Sequence, residues 1–188
     1  DGLFGSSLAL TPTECRALLA QGWELYGAAS IGALRAAECW QIGMVGIGEV
    51  YTLYRSGLLQ SDGEVAVAYD PSGSSELSIA LVHLRSVLQW LRDRGEVDAT
   101  LARRAFDQAR QLHFLERSPA ACFGAWTQMG LSRELAQTVL AACKIPKLHP
   151  KRRDARLALA ALGAQLWSRS KPDADGPAQI SFRMAQRS

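Results

Sequence analysis

The run Trp23-Glu24-Leu25-Tyr26-Gly27-Ala28-Ala29-Ser30-Ile31-Gly32-Ala33-Leu34-Arg35-Ala36-Ala37-Glu38 decides how this chain is built. Its first four residues suit a strand. The small residues from Gly27 to Gly32 allow a sharp turn, and Ala33 to Glu38 are strong helix formers. Strand, turn and helix in that order are the repeating unit of an α/β fold with a parallel sheet. Toward the N-terminus, Thr11-Pro12-Thr13-Glu14 reads as N-cap, first-turn proline and first-turn acid, opening a helix that stops at Gly22. The opening Asp1-Gly2-Leu3-Phe4-Gly5 has the composition of a turn after a strand. That strand would precede Asp1, so an upstream segment is expected.

Toward the C-terminus, Gly43, Gly46 and Gly48 are expected to end the helix, with a short second helix over about residues 49–56 and a strand over 64–69. Beyond the turn-rich Asp70-Pro71-Ser72-Gly73-Ser74, the punctuation at Ser118-Pro119, Gly130 and Ile145-Pro146 divides the chain into helices. Their expected ranges are about 75–94, 98–115, 119–129, 132–143 and 150–167. The sequence thus predicts an α/β core over 1–70, a mostly α-helical lobe over 71–169, and a loose polar tail over 170–188.

Composition bounds what this assembly does. The 188 residues fit one globular unit, and 48% hydrophobic with 21% charged residues excludes a disordered or fibrous chain. A net charge of +3 is too small to indicate nucleic acid without a clustered patch. No run approaches the roughly 20 apolar residues of a membrane span. Cys15, Cys39, Cys122 and Cys143 are scattered and lack zinc-ligand spacing, so they read as free or buried thiols of a cytoplasmic protein, and no metal or cofactor is expected.

Two stretches carry chemistry. Ala28-x-Ser30-x-Gly32 has the form of a nucleophile elbow, in which small neighbours leave room for a strained turn that projects the serine Oγ. The Ile31 amide and the helix start beyond it then face a developing oxyanion. The same residues also read as a plain turn with a serine N-cap. The second stretch, Lys144 to Arg156, has six cations and one acid, and suits a solvated helix face or a docking strip for an acidic partner. Within it Lys151 alone shares a helix azimuth with Ala155, Ala158 and Leu162. An amine held there is disfavoured as an ammonium and suits a general base, or it snorkels at the lobe edge. His83 and His113 read as structural residues of helices. His149 is the best histidine candidate for a base, which would make the protein a serine esterase, although no acid is evidently paired with it.

The string Gly27 to Glu38, followed by Gly43-Met44-x-Gly46-x-Gly48, resembles the signature of the TfuA-like family. Asp1-Gly2, Tyr54-x-x-Gly57, Asp62-Gly63-Glu64 and Lys151-Arg152-Arg153-Asp154-Ala155 are similar to further family elements. Thr11-Pro12-Thr13-Glu14 departs from the family's His-Lys-Glu-like run. The resemblance implies a partner of YcaO enzymes in peptide-backbone thioamidation, a step of peptide natural-product biosynthesis. Such a partner hydrolyses a thiocarboxylated ThiS-type sulfur carrier through a Ser–Lys pair and releases sulfide for the YcaO enzyme, which handles the peptide substrate. Ser30 and Lys151 are the matching positions. Asp1, Gly2, Ile31, Gly32 and Arg35 are the oxyanion and substrate-binding candidates, Arg35 alternatively pairing with Glu38, and Asp154 would orient Lys151 or favour its helix start. The alternative is a non-catalytic adaptor that recruits the YcaO enzyme and its peptide.

Overall fold

A capping box opens the first helix among the described residues. The structure, a computed structural model, describes residues 9–72 and 75–170; Asp1 and Gly2 and nearly all of the expected tail lie outside these. Thr11 Oγ1 accepts the Glu14 amide at 3.2 Å, and the Glu14 carboxylate accepts the Thr11 amide at 2.7 Å. Two orphan amides are satisfied reciprocally, and α1 (Pro12–Ala20) follows. Gly22, at φ +86°, then turns the chain away.

The α/β core consists of β1 (Tyr26–Ala28), α2 (Ile31–Cys39), β2 (Val45–Ile47) and α3 (Glu49–Arg55). The strands are parallel, pairing Tyr26 with Val45, Gly27 with Gly46 and Ala28 with Ile47, and α2 is the crossover between them. Both differ from expectation: β1 lies closer to the turn than residues 23–26, and the glycines after α2 flank and interrupt a strand as well as ending a helix. The central pair is glycine on glycine for a steric reason. A Cβ on Gly27 would stand 2.0 Å from the Gly32 carbonyl oxygen, and one on Gly46 would stand 2.1 Å from the Tyr51 ring. The start of α2 and a side chain of α3 therefore lie directly on the sheet.

Residues 64–69 do not form the expected strand. Asp62–Glu64 is a 3-10 turn. Val65, at φ −107° and ψ −10°, closes that turn, the buried Ala66 and Val67 follow outside any strand, and of this segment Tyr69 alone bridges, antiparallel, to Glu76. Alternation and β-branching there reflect burial rather than sheet pairing: the Ala68 amide donates to Ser78 Oγ at 2.7 Å instead of to a neighbouring strand.

The helical part comprises α4 (Leu81–Asp93), α5 (Ala99–Gln111), α6 (Pro119–Gln128), α7 (Arg133–Cys143) and α8 (Pro150–Ser170). Asp98, Ser118 and Ser132 cap α5, α6 and α7 through the amides of Leu101, Ala121 and Leu135. The first of these helices begins at Leu81 rather than Ser75. Residues 77–79 are held out of the helix because the Leu77 amide donates to the Ala68 carbonyl and the Ile79 amide to that of Arg117. One face of α4 packs Leu84, Val87 and Leu91 into the helical core around Trp126 and Val139. Val82 joins Ala33, Val50, Leu59 and Val65 under the α/β core. No helix among the described residues is long and apolar enough to cross a membrane.

Gly27→Ala is expected to cost about 3 kcal/mol or to prevent folding, because the backbone of α2 cannot retreat from the sheet. Gly124→Ala, whose new Cβ meets nothing within 4 Å inside α6, should instead stabilise by about 0.5–1 kcal/mol. Urea unfolding of the two variants checks both signs.

Candidate active site

The turn between β1 and α2 is strained at one residue. Ala29 has φ +66°, a region that a residue with a Cβ enters at a cost of about 1 kcal/mol. The Ser30 amide donates to the Ala28 carbonyl at 2.7 Å, closing a three-residue turn. Ser30 takes the N-cap position of α2, yet its hydroxyl makes no capping hydrogen bond. The serine is thus set at the first turn of a helix without serving it as a cap. The strain falls on the residue before the serine rather than on the serine itself. Arg35 pairs with Glu38 one turn along α2, and its Nε is buried without a hydrogen-bond partner.

Helix α8 reaches this end of the sheet through Asp154. Its buried carboxylate accepts the amides of Glu49 at 3.0 Å and Val50 at 2.8 Å, capping α3 from 105 residues away. Gly48 makes room for it, with φ +98°, and a Cβ there would stand 2.2 Å from the carboxylate carbon. Asp154 therefore serves α3, not the orientation of Lys151 or the start of its own helix. Arg153 pairs with Glu49 at the same junction.

One turn earlier on α8, Lys151 is 7% exposed. It is the buried cation of its basic run, although Ala155, on the same azimuth, is exposed and Ala158 and Leu162 are only half-buried. Nζ donates to the Val65 carbonyl at 3.1 Å and lies 3.5 Å from Glu76 Oε1. Burial pushes this amine below its ordinary range, and the Glu76 carboxylate pulls it partly back. Nζ is not hydrogen-bonded to Ser30 Oγ. Topology relates the elements that carry them. Because the strands are parallel, Ser30 just beyond β1 and Gly48 just beyond β2 share the carboxyl edge of the sheet, and α8 packs on both strands with Asp154 against Gly48.

Glu76 was not legible as a site residue, nor was its pairing with His149. Its Oε2 lies 2.8 Å from His149 Nε2. Burial alone would raise this carboxyl, but the His149 hydrogen bond and the Lys151 charge outweigh it and hold Glu76 at about 2. His149 is itself 4% exposed, and its Nδ1 accepts the Arg152 amide at 3.4 Å. Both ring nitrogens are engaged away from Ser30, which removes the observation that favoured a serine esterase with a histidine base. His83 stacks on His149 with centroids 4.1 Å apart, and burial together with its neighbour pushes it down to about 4. His113 lies in the turn after α5 and its Nδ1 meets the Leu115 amide at 3.4 Å. Burial raises the Cys122 thiol to about 11 and the Cys143 thiol to about 12, so neither supplies a ready thiolate. Among the described residues no group of His, Cys, Asp or Glu is arranged to hold a metal.

Residues 1–118 match the family of TfuA-like proteins. The match includes Ser30, His83 and Glu76 and ends before His149, Lys151 and Asp154. No curated protein matches the chain.

Two measurements probe this cluster. His83 stays neutral in the fold while the unfolded chain takes up a proton near pH 6.5, so stability present above that pH is lost as pH falls to about 4. The loss is about 3 kcal/mol. Glu76, held low, adds a second loss between about 4.5 and 2. Urea unfolding at stepped pH should show the first loss in the parent and little of it in His83→Phe. Asp154→Ala should lower stability by about 2 kcal/mol through the lost cap of α3, seen as a lower urea midpoint at unchanged slope.

Proposed function

The chain belongs to the TfuA-like family, and from that membership we propose that it is a hydrolase of a thiocarboxylated ThiS-type sulfur carrier, supplying sulfide to a YcaO enzyme for peptide thioamidation. The observation that carries the reading is Lys151, a buried amine with a lowered proton affinity, at the sheet edge where the strained turn presents Ser30.

A serine is a poor nucleophile at its own pKa and needs a base. Neutral Lys151 takes the proton from Ser30 Oγ as the oxygen attacks the thiocarboxylate carbon. The tetrahedral oxyanion forms against the Ile31 amide at the start of α2. The carbon–sulfur bond then breaks, the sulfur leaves with the proton carried by Lys151, and the carrier remains as an ester on Ser30. Water, deprotonated by the same amine, cleaves the ester and frees the carrier carboxylate. Thiocarboxylate and water are consumed, and carboxylate and hydrogen sulfide are formed. For this step the amine leaves the Val65 carbonyl for Oγ, a contact of the kind that commonly forms only when substrate is bound.

Sulfide release from a thiocarboxylated ThiS-type carrier tests this directly. Ser30→Ala and Lys151→Met should each lower the rate by about 100-fold or more while circular dichroism stays unchanged. Full rates in both folded variants would sink the pair. A parent protein that is inert yet binds a YcaO enzyme would be the adaptor.

A further inference from the structure

Lys151 belongs to an array drawn from three parts of the chain, and that array uses both oxygens of Glu76. Oε1 of Glu76 faces Lys151 Nζ and also accepts from the Tyr69 hydroxyl at 3.4 Å. Oε2 faces His149. His149 Nδ1 accepts the Arg152 amide, so the ring proton donated to Glu76 is the one on Nε2. His83 backs that ring. We propose that Glu76 is a positioning residue, holding Lys151 at the sheet edge and sharing its charge, with His149 as the strut that fixes the carboxylate. This rests on the reading of Lys151 as the base.

The charged and titratable surroundings of Lys151 are few. Glu76 and Tyr69 come from the segment before α4, His83 from α4, and His149, Arg152 and Asp154 from the start of α8. Asp154 is committed to the amides of α3, and Glu49 to Arg153. The strands contribute no charged side chain. Among the described residues Glu76 is thus the carboxylate bonded to the amine. A carboxylate there opposes loss of the lysine proton at rest and stabilises the ammonium formed when the serine is deprotonated. Removing its charge therefore has two separable effects: Lys151 becomes neutral at lower pH, and the attacking step loses its counter-charge.

The chain has four lysines, Lys144, Lys147, Lys151 and Lys171, so lysine side-chain NMR resonances can be followed one by one through a pH titration, with Lys151→Arg for assignment. In the parent, Lys151 should titrate below the other three. In Glu76→Gln it should titrate lower still, by about 1–3 pH units. Glu76→Asp, which keeps the charge on a shorter arm, should move it in the same direction by less, and serves if the amide variant does not fold. In sulfide release the acid limb of kcat should follow Lys151 in each variant, with kcat reduced and KM retained. A Lys151 titration identical in parent and Glu76→Gln overturns the proposal. A parent that releases no sulfide but shows the shift overturns the hydrolase reading and supports the pairing.

Discussion

The Asp154 carboxylate, accepting two backbone amides at the start of α3, is the contact on which the rest of the arrangement depends. A two-stranded parallel sheet of three residues per strand cannot organise a site alone. It becomes a platform because α8 is anchored across its carboxyl edge. A buried carboxylate is costly unless its oxygens are bonded, and here each takes an amide that the helix would otherwise leave without a partner. The gain is mutual: α3 acquires a cap and negative charge at its positive end, and α8 acquires one fixed point. Only glycine at position 48 allows the approach, so the left-handed turn before α3 and the docking of α8 are one constraint.

That constraint sets where Lys151 stands. One helical turn from Asp154, its side chain runs inward to the carbonyl of Val65. Val65 closes the 3-10 turn with helical backbone angles, so its carbonyl is offered to the ammonium rather than to a neighbouring strand. On the other side, the glycine pair Gly27 and Gly46 lets α2 start against the sheet and brings the strained Ala29–Ser30 turn to the same edge. Small residues and one buried carboxylate together determine the geometry of this edge.

Local rules were legible in the sequence, and long-range ones were not. The cap at Thr11 follows from residues within three positions of each other and stands where the pattern put it, and the caps at Asp98, Ser118 and Ser132 lie within one residue of the expected helix starts. The order of strand, turn and helix around Ser30 was equally readable, since its small residues and the following helix formers are contiguous. β2 was hidden because Val45-Gly46-Ile47 is too short to show a period and its glycine argues for a break. Residues 64–69 misled for the opposite reason: a buried segment outside any sheet and a strand have the same apolar signature. Lys151 showed its inward azimuth on a helix wheel, but Glu76 and His149 are 73 positions apart and share no motif. Nor did anything around Asp154 say that its partners lie 105 residues away.

The array around Glu76 also accounts for the two histidines beside it. A lone lysine buried beside a carboxylate is held as a tight ion pair. Here the carboxylate takes a second hydrogen bond, from His149 at 2.8 Å, which shares the charge that faces Lys151. His83, whose proton affinity is lowered by burial, packs on the His149 ring without adding a competing cation. Desolvation and pairing then act on the amine in opposite directions: burial lowers its proton affinity and the Glu76 carboxylate raises it. The same carboxylate that holds the amine in place therefore opposes the shift that burial imposes on it.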